Sequence, residues 1–272
     1  MLEQASLWGA EHAAVAVVGP AGTLAHVGDI ERPFAWASVT KLITAYAVLR
    51  AVEAGSIDLD GPAGPPGSSV RHLMAHASGL GFEGAAPLSA PERTRIYSNV
   101  GYDLLGDLLT ERTGMTIAGI LERDVLAPLG MTGTRLTGRP SEGLTGSLAD
   151  LARFAHELLR PSLLEPATVA LATHVAFPGL VGILPGIGRF EPLDWGLGFE
   201  LRDGKSPHWT GRANSAETFG HFGGSGTFVW VDPVADMALA CLCDRPFGPW
   251  ALEAWPALSD EVLSSVSPDD RT

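Results

Sequence analysis

Ser38 and Lys41 stand three residues apart in the run Ala35 Trp36 Ala37 Ser38 Val39 Thr40 Lys41 Leu42, an S-x-x-K pattern at the start of a helical stretch. On a helix, positions three apart share a face, so the hydroxyl and the amine can meet within hydrogen-bonding reach. A serine hydroxyl is a weak nucleophile unless a neighbour takes its proton. A lysine does so only when burial or nearby cations lower its own pKa. Backbone N–H groups at the helix start favour negative charge developing beside Ser38. The pattern is short, and an ordinary helix start with Ser38 as its cap has the same spelling. The rest of the chain must separate the two.

The elements that would position this pair follow from local patterning. Apolar runs Ala13 to Gly19 and Thr23 to Asp29, around Pro20 Ala21 Gly22, predict an antiparallel hairpin. From Ser38 to about Ala54, Leu42, Ala45, Leu49 and Val52 form an apolar stripe, and Gly55 is a stop signal. The prolines and glycines of Gly61 to Ser69 mark a loop, after which Val70 to Ala77 reads as a short helix. Helices are expected over Tyr102 to Thr113, Ile117 to Val125 and Ser147 to Leu159, the last capped by Ser147. From Trp195 the pattern turns to strands: Trp195 to Leu201, Thr218 to Gly220, Thr227 to Val231 and Ala235 to Cys243, with a turn at Asp232 Pro233. Ser264 to Thr272 reads as a frayed tail.

Sheet segments therefore lie at both ends of the sequence. They predict an α/β (α+β) architecture in which one antiparallel sheet, built from both termini and flanked by helices, receives a mostly helical insertion. We expect a single domain over 1–272, with a sheet lobe at about 1–60 and 195–265, a helical lobe at about 61–194, and a cleft between them.

Composition narrows the functions open to such a chain. Its 272 residues suffice for a sizeable core, and 46% hydrophobic against 18% charged residues is a globular balance. The 33 Gly and 20 Pro imply many turns. A formal charge of −13 opposes binding to nucleic acid or to anionic membranes. Cys241 and Cys243, two apart in an apolar run, read as buried free thiols, which fits a reducing compartment. The N-terminus lacks a basic region followed by an apolar stretch, and no segment has the length of a membrane span; the sequence as given predicts a cytoplasmic protein.

Other candidates carry less. His72 and His76 are four apart, but Leu73 stands where H-E-x-x-H requires glutamate, so no metal is predicted and hydrogen bonding to a loop is the more natural role. Gly223 Gly224 Ser225 Gly226 Thr227 fails G-x-S-x-G at its last position, which counts against an α/β-hydrolase. Trp195, Trp209 and the loop from Phe177 to Phe190 are candidates for the wall of an acyl pocket, and core packing accounts for them equally well.

Three segments taken together decide the matter. Ser38 and Lys41, then Tyr97 Ser98 Asn99, then His221 Phe222 Gly223 have the order and spacing of the S-x-x-K, Y-x-N and K-T-G motifs, and so the chain resembles the serine β-lactamase and penicillin-binding protein family. Val70 Arg71 His72 Leu73 Met74 Ala75 His76 Ala77 Ser78 Gly79 Leu80 is similar to that family's V-R-H-L-L-T-H-T-S-G-L stretch. Leu126 Ala127 Pro128 Leu129 Gly130 Met131 is similar to its P-L-G-M block. Gly146 to Phe154 and Val231 Asp232 Pro233 also occupy familiar places, so the resemblance runs over roughly residues 13–245 and points to class C-like, esterase-type members.

The resemblance implies a β-lactamase/transpeptidase-like fold and an acyl-enzyme on Ser38. Lys41 and Tyr97 would hold the proton and pass it to the leaving group, which asks neighbours to lower the tyrosine pKa from near 10. Asn99 would bind the acyl part of the substrate and orient Lys41, and the N–H groups of Ser38 and Gly224 would hold the oxyanion beside Gly223. His221 stands where many relatives carry lysine, so the cation there would depend on pH. Phe222 replaces the usual threonine and removes a hydroxyl that binds a substrate carboxylate. Both departures favour an esterase acting on a small ester, amide or lactone, with no cofactor and a small-molecule acyl substrate as its partner. A D-amino-acid peptidase or weak β-lactamase is the alternative, and a catalytically silent ligand-binding protein of the same fold is the rival from another class.

Overall fold

A computed structural model describes residues 2–265. Its centre is a six-stranded sheet of β1 (Ala13–Gly19), β2 (Gly22–Val27), β3 (Glu200–Leu201), β4 (Phe219–Gly223), β5 (Thr227–Asp232) and β6 (Met237–Cys243), in the order β2-β1-β6-β5-β4-β3. Every neighbouring pair is antiparallel, with Val15 opposite Cys241, Val229 opposite Ala240 and His221 opposite Val229. Strands from both ends of the chain thus lie side by side.

Side-chain alternation divides the core into two layers. Ala14, Ala16 and Val18 of β1 join Val229, Val231, Ala238, Ala240 and Leu242 on one face. Val15, Val17, Phe228, Trp230, Leu239, Cys241 and Cys243 line the other. Both thiols are buried and free on that second face. Because each face is covered, β5 and β6 are buried without interruption, unlike a strand with one wet side.

The first face packs against α1 (Thr40–Glu53) and α3 (Leu148–Leu159). Ser147 caps α3, its Oγ accepting the Asp150 N–H at 3.2 Å. α1 exceeds the stripe read from its sequence: all residues from Thr40 to Leu49 are buried, Thr44 and Lys41 included. Between α1 and α3 in sequence lie α2 (Asn99–Thr113) and shorter helical turns, Val70–Met74 and Ile117–Leu121 among them.

The second face is covered by α4 (Pro249–Ser265) and the N-terminal turn Leu2–Leu7. α4 has no counterpart among the expected elements, and it runs through Pro256, a residue that removes one helical hydrogen bond. Trp230 ties the sheet to it, donating its indole N–H to Ser259 Oγ at 3.1 Å. Ser264 and Ser265 close this helix, and the rest of the expected tail lies outside the described residues.

Among the boundaries that differ from expectation, two have a clear local reason. α2 starts at Asn99 instead of Tyr102, since Ser98 accepts the Gly101 N–H at 3.0 Å and serves as the cap. The strand expected from Trp195 is confined to Glu200–Leu201. Gly198 interrupts it at φ +103°, where a Cβ would collide with the Ala45 side chain of α1.

Candidate active site

Ser38 lies in a 3₁₀ turn, Ala37–Val39, that leads directly into α1. The turn is held from the sheet side: Thr227 Oγ1 donates to Trp36 O at 2.9 Å and Ser225 Oγ to Ala35 O at 2.7 Å. Ala37 takes φ +45°, a conformation that costs a non-glycine residue about 1 kcal/mol or more and that survives because its neighbours are fixed. The hairpin of β4 and β5 therefore sets the orientation of Ser38.

One helical turn later, Lys41 is fully buried. Its ammonium donates to Ser38 Oγ at 3.1 Å, Asn99 Oδ1 at 2.6 Å and the Ser141 carbonyl at 2.8 Å, so all three protons are used. It also lies 4.8 Å from the centre of the Tyr97 ring. Burial brings its pKa down to about 7, against the opposing pull of the Glu142, Asp103 and Glu83 carboxylates. Near neutrality a large fraction of the molecules hold a neutral amine beside the serine.

Tyr97 reaches the same point from a distant stretch of the chain. Its hydroxyl lies 3.4 Å from His221 Nε2. Its pKa is raised, not lowered as expected from the sequence: burial drives it up, the interaction with the Ser38 side chain only partly offsets this, and Glu142 adds to the rise. The resting phenol keeps its proton, which leaves Lys41 as the proton acceptor.

Asn99, the first residue of α2, is 1% exposed. Because the ammonium form of Lys41 can only donate, its contact fixes the oxygen of the carboxamide toward the amine. The Asn99 NH₂ group then points at Glu83 Oε1 (3.3 Å) and Glu142 Oε2 (3.4 Å). His221, buried on β4, lies 2.6 Å through Nδ1 from Phe222 O, which makes that nitrogen the donor and Nε2 the acceptor facing Tyr97. Burial, then the Lys41 charge, pulls its pKa down to about 3. The imidazole is neutral across the physiological range, which corrects the expectation of a pH-dependent cation.

Strand alternation sends Phe222 to the opposite face, among Trp209, Phe247 and Trp255, so it presents nothing to the site. Gly223 must lack a side chain, because a Cβ would come within 2.5 Å of both Trp36 O and Thr227 Oγ1. At Gly224 a Cβ would meet nothing within 4 Å, so the strand end is open beside Ser38's turn.

The structure thus brings together Ser38, Lys41, Tyr97, Asn99 and His221, with Gly223 and Gly224 closing the strand next to them. Trp195 is buried beneath Tyr97 and His221, with ring centres 5.9 and 5.5 Å away, while Trp209, in the same core layer, packs on His208, Phe222 and Phe228. The Phe177 end of the candidate loop packs on His72 at 4.3 Å and does not reach Tyr97.

His72 and His76 do not face one another as helix neighbours. The helix ends at Met74, and His76 follows at φ +56°. His72 binds the Ser69 N–H at 3.1 Å and Glu92 at 2.9 Å, whereas His76 Nδ1 accepts the Ser98 N–H at 3.1 Å. Among the described residues the cluster spaced for a metal is Glu11, His12 and Asp244, which shares no residue with the Ser38 constellation.

Several participants have no signal in the sequence. Ser141 contributes only a carbonyl, from the turn Arg139–Glu142. Phe82, half-exposed, stacks on Tyr97 at 6.0 Å. Arg95, two residues before Tyr97, is buried and donates to the carbonyls of Leu193, Ala75, Ala176 and Phe177, joining three loops beneath the site. A cavity of about 750 Å³ lies elsewhere, lined by Leu158, Val169, Leu201, Phe219 and Val231, and none of its lining residues touches this chemistry.

Comparison with known proteins agrees with the geometry. A family model described as Beta-lactamase matches residues 12–263. A crystal structure of a beta-lactamase from Mycobacterium bovis superposes with a TM-score of 0.95 at 53% identity, covering 96% of this chain and 97% of that one. Among curated proteins, a D-alanyl-D-alanine-carboxypeptidase/endopeptidase, AmpH, of Escherichia coli is 29% identical over 143 residues, 39% of this chain and 37% of its own length. Esterase EstB of Burkholderia gladioli is 30% identical over 144 residues, 36% of this chain and 37% of its own length. The matched segments therefore span a little over a third of these curated relatives. No helix among the described residues is long and apolar enough to cross a membrane.

Proposed function

The chain belongs to the beta-lactamase family, whose members are serine hydrolases, and from that premise we propose that it hydrolyses small esters through an acyl-Ser38 intermediate. The observation that carries this reading is the buried Lys41 amine, 3.1 Å from Ser38 Oγ, with a pKa brought down to about 7.

In the proposed reaction the neutral Lys41 takes the Ser38 proton as Oγ bonds to the substrate carbonyl carbon. The carbonyl oxygen becomes an oxyanion held by the N–H groups of Ser38 and Gly224. When the bond to the leaving oxygen breaks, Tyr97 gives that oxygen its proton and regains one from the Lys41 ammonium, which returns the lysine to its neutral form. Water then attacks the acyl carbon, passes a proton to Lys41, and Ser38 leaves with a proton restored. Asn99 holds Lys41 in place and offers its NH₂ group to the acyl part.

Esters rank above β-lactams and peptides because the position two residues before β4's terminal glycine lacks a fixed cation. His221 is neutral and Phe222 is turned into the core, so a substrate carboxylate finds no partner there. The likeness to AmpH favours the second reading, a D-amino-acid peptidase or weak β-lactamase.

Purified protein assayed on p-nitrophenyl butyrate, nitrocefin and D-alanyl peptides separates these readings. We expect the butyrate ester to be turned over fastest; nitrocefin turnover higher by orders of magnitude would reverse the ranking. Mass spectrometry after a fluorophosphonate probe should find the adduct on Ser38. Ser38→Ala should abolish both adduct and turnover with little change in melting temperature, and residual turnover would remove Ser38 from its role.

A further inference from the structure

The carboxylates around Asn99 bear on the chemical class of substrate, and the argument rests on the acyl-Ser38 reading above. Two short segments carry them. Phe82 and Glu83 are fastened to the start of α2, where Phe82 O accepts the Asn99 N–H at 3.1 Å and Gly81 O accepts the Ser98 hydroxyl at 2.7 Å. Glu142 closes a turn whose preceding residue, Ser141, is bonded through its carbonyl to Lys41. Both side chains are thus placed by the same contacts that build the catalytic group.

Their surroundings are unbalanced in charge. Arg139 is the one arginine at this mouth among the described residues, and it is shared between Glu83 at 3.3 Å and Asp103 at 3.6 Å. Glu142 has no arginine or lysine within ion-pair distance among the described residues, and its charge reaches Lys41 and Tyr97. The Asn99 NH₂ group meets Glu83 and Glu142 only at 3.3 and 3.4 Å, bonds long enough for an incoming group to replace. His221 contributes no positive charge. An anionic acyl group would be repelled here, and the −13 charge of the chain adds to that repulsion at longer range.

We propose that the preferred substrate is an ester or amide whose acyl part carries a positively charged amine, bound between Glu142 and Glu83 beside Asn99 with its hydrocarbon against Phe82. The half-exposed Phe82 ring, stacked on Tyr97, supplies an apolar and cation-attracting wall next to the carboxylates. Glu142 and Glu83 act as specificity determinants, while bond making and breaking stays with Ser38, Lys41 and Tyr97.

Matched esters test this. The p-nitrophenyl ester of 4-(trimethylammonio)butyrate and that of 5,5-dimethylhexanoate have the same shape and differ by one charge, and the glutarate monoester supplies the anion. We expect kcat/KM for the cationic ester to exceed that for the neutral one by about tenfold at low salt, with the anionic ester slowest and the preference shrinking as salt is added. In Glu142→Gln combined with Glu83→Gln the cationic-to-neutral ratio should fall about tenfold, toward one. Taking the ratio within one enzyme at one pH cancels any change these substitutions cause in the Lys41 pKa. If Ser38 is labelled by the fluorophosphonate probe but the wild-type ratio is near one, or is unmoved by the double substitution, the inference is overturned while the hydrolase reading stands. If Ser38 is not labelled and no ester is hydrolysed, both fall together.

Discussion

At Lys41 two opposing effects meet, and their balance sets the working pH. Burial of the amine lowers its pKa from 10.5 to about 7, while Glu142, Asp103 and Glu83 keep it from going lower. The neutral form is the one that accepts a proton, so activity is lost as pH falls. We expect log kcat/KM on a neutral ester to rise with unit slope up to about pH 7 and then level, and Lys41→Ala to lower kcat by roughly a thousandfold. A profile that is flat between pH 5 and 8 would contradict this assignment. His76 acts one step behind. Its Nδ1 accepts the N–H of Ser98, the residue between Tyr97 and Asn99, and its ring packs at a tilt on Tyr97 with centres 4.6 Å apart. His76→Leu should strand that buried N–H and reduce kcat about tenfold with KM little moved. His76→Asn, which restores an acceptor and tolerates φ +56°, should recover most of the loss, whereas equal losses in both would indicate mere packing.

Among the elements, the β4 to β5 hairpin and the turn carrying Ser38 form one assembly. Gly223 lies against Trp36 O, and the Thr227 and Ser225 hydroxyls bond to the same stretch. Gly223→Ala should therefore push the strand off the Ser38 turn, costing about 2 kcal/mol of stability and most of the activity. Gly224→Ala meets no neighbouring atom and should leave the melting temperature within a degree or so. Thermal denaturation of the two variants side by side distinguishes a glycine required by packing from one on the open side of the strand end. α1 shows the same division of labour: its first turn supplies Lys41, and the residues that follow, through Leu49, are buried against the core shared with the sheet and α2.

Across the whole molecule, a second buried charge cluster supports the sheet edge. Glu200 on β3 lies 3.1 Å from Lys205 Nζ and 2.9 Å from both His208 Nε2 and Trp209 Nε1. Burial pushes its pKa up, but the neighbouring His208 and Lys205 charges and hydrogen bonds outweigh this and hold it at about 2. A carboxylate depressed in this way stabilises the fold above its unfolded pKa of 4.5, and that contribution is lost as pH falls from there through about 2. Glu200→Leu leaves Lys205 buried without its partner and should destabilise by about 3–5 kcal/mol in urea titrations at pH 7. Its stability should also vary less between pH 4.5 and 2 than that of the unaltered protein. A variant as stable as the parent would show that the cluster is dispensable.

Residue order and local pattern already determined much of this protein. Strand alternation, the cap at Ser147 and the S-x-x-K, Y-x-N and glycine-edge segments are properties of short windows, and helix and strand periodicity act over those same windows. They made the two-ended sheet legible, along with Ser38, Lys41, Tyr97 and Asn99. Tertiary structure alone decided the rest, because electrostatics and close packing depend on which distant groups become neighbours. Desolvation raised the Tyr97 pKa, where the role implied by the resemblance asked for a lowered one, and kept His221 neutral where a pH-dependent charge was expected. Ser141 O, Glu83, Glu142 and Phe82 joined the site from loops with no motif, and α4 formed through Pro256 because a full sheet face needed cover.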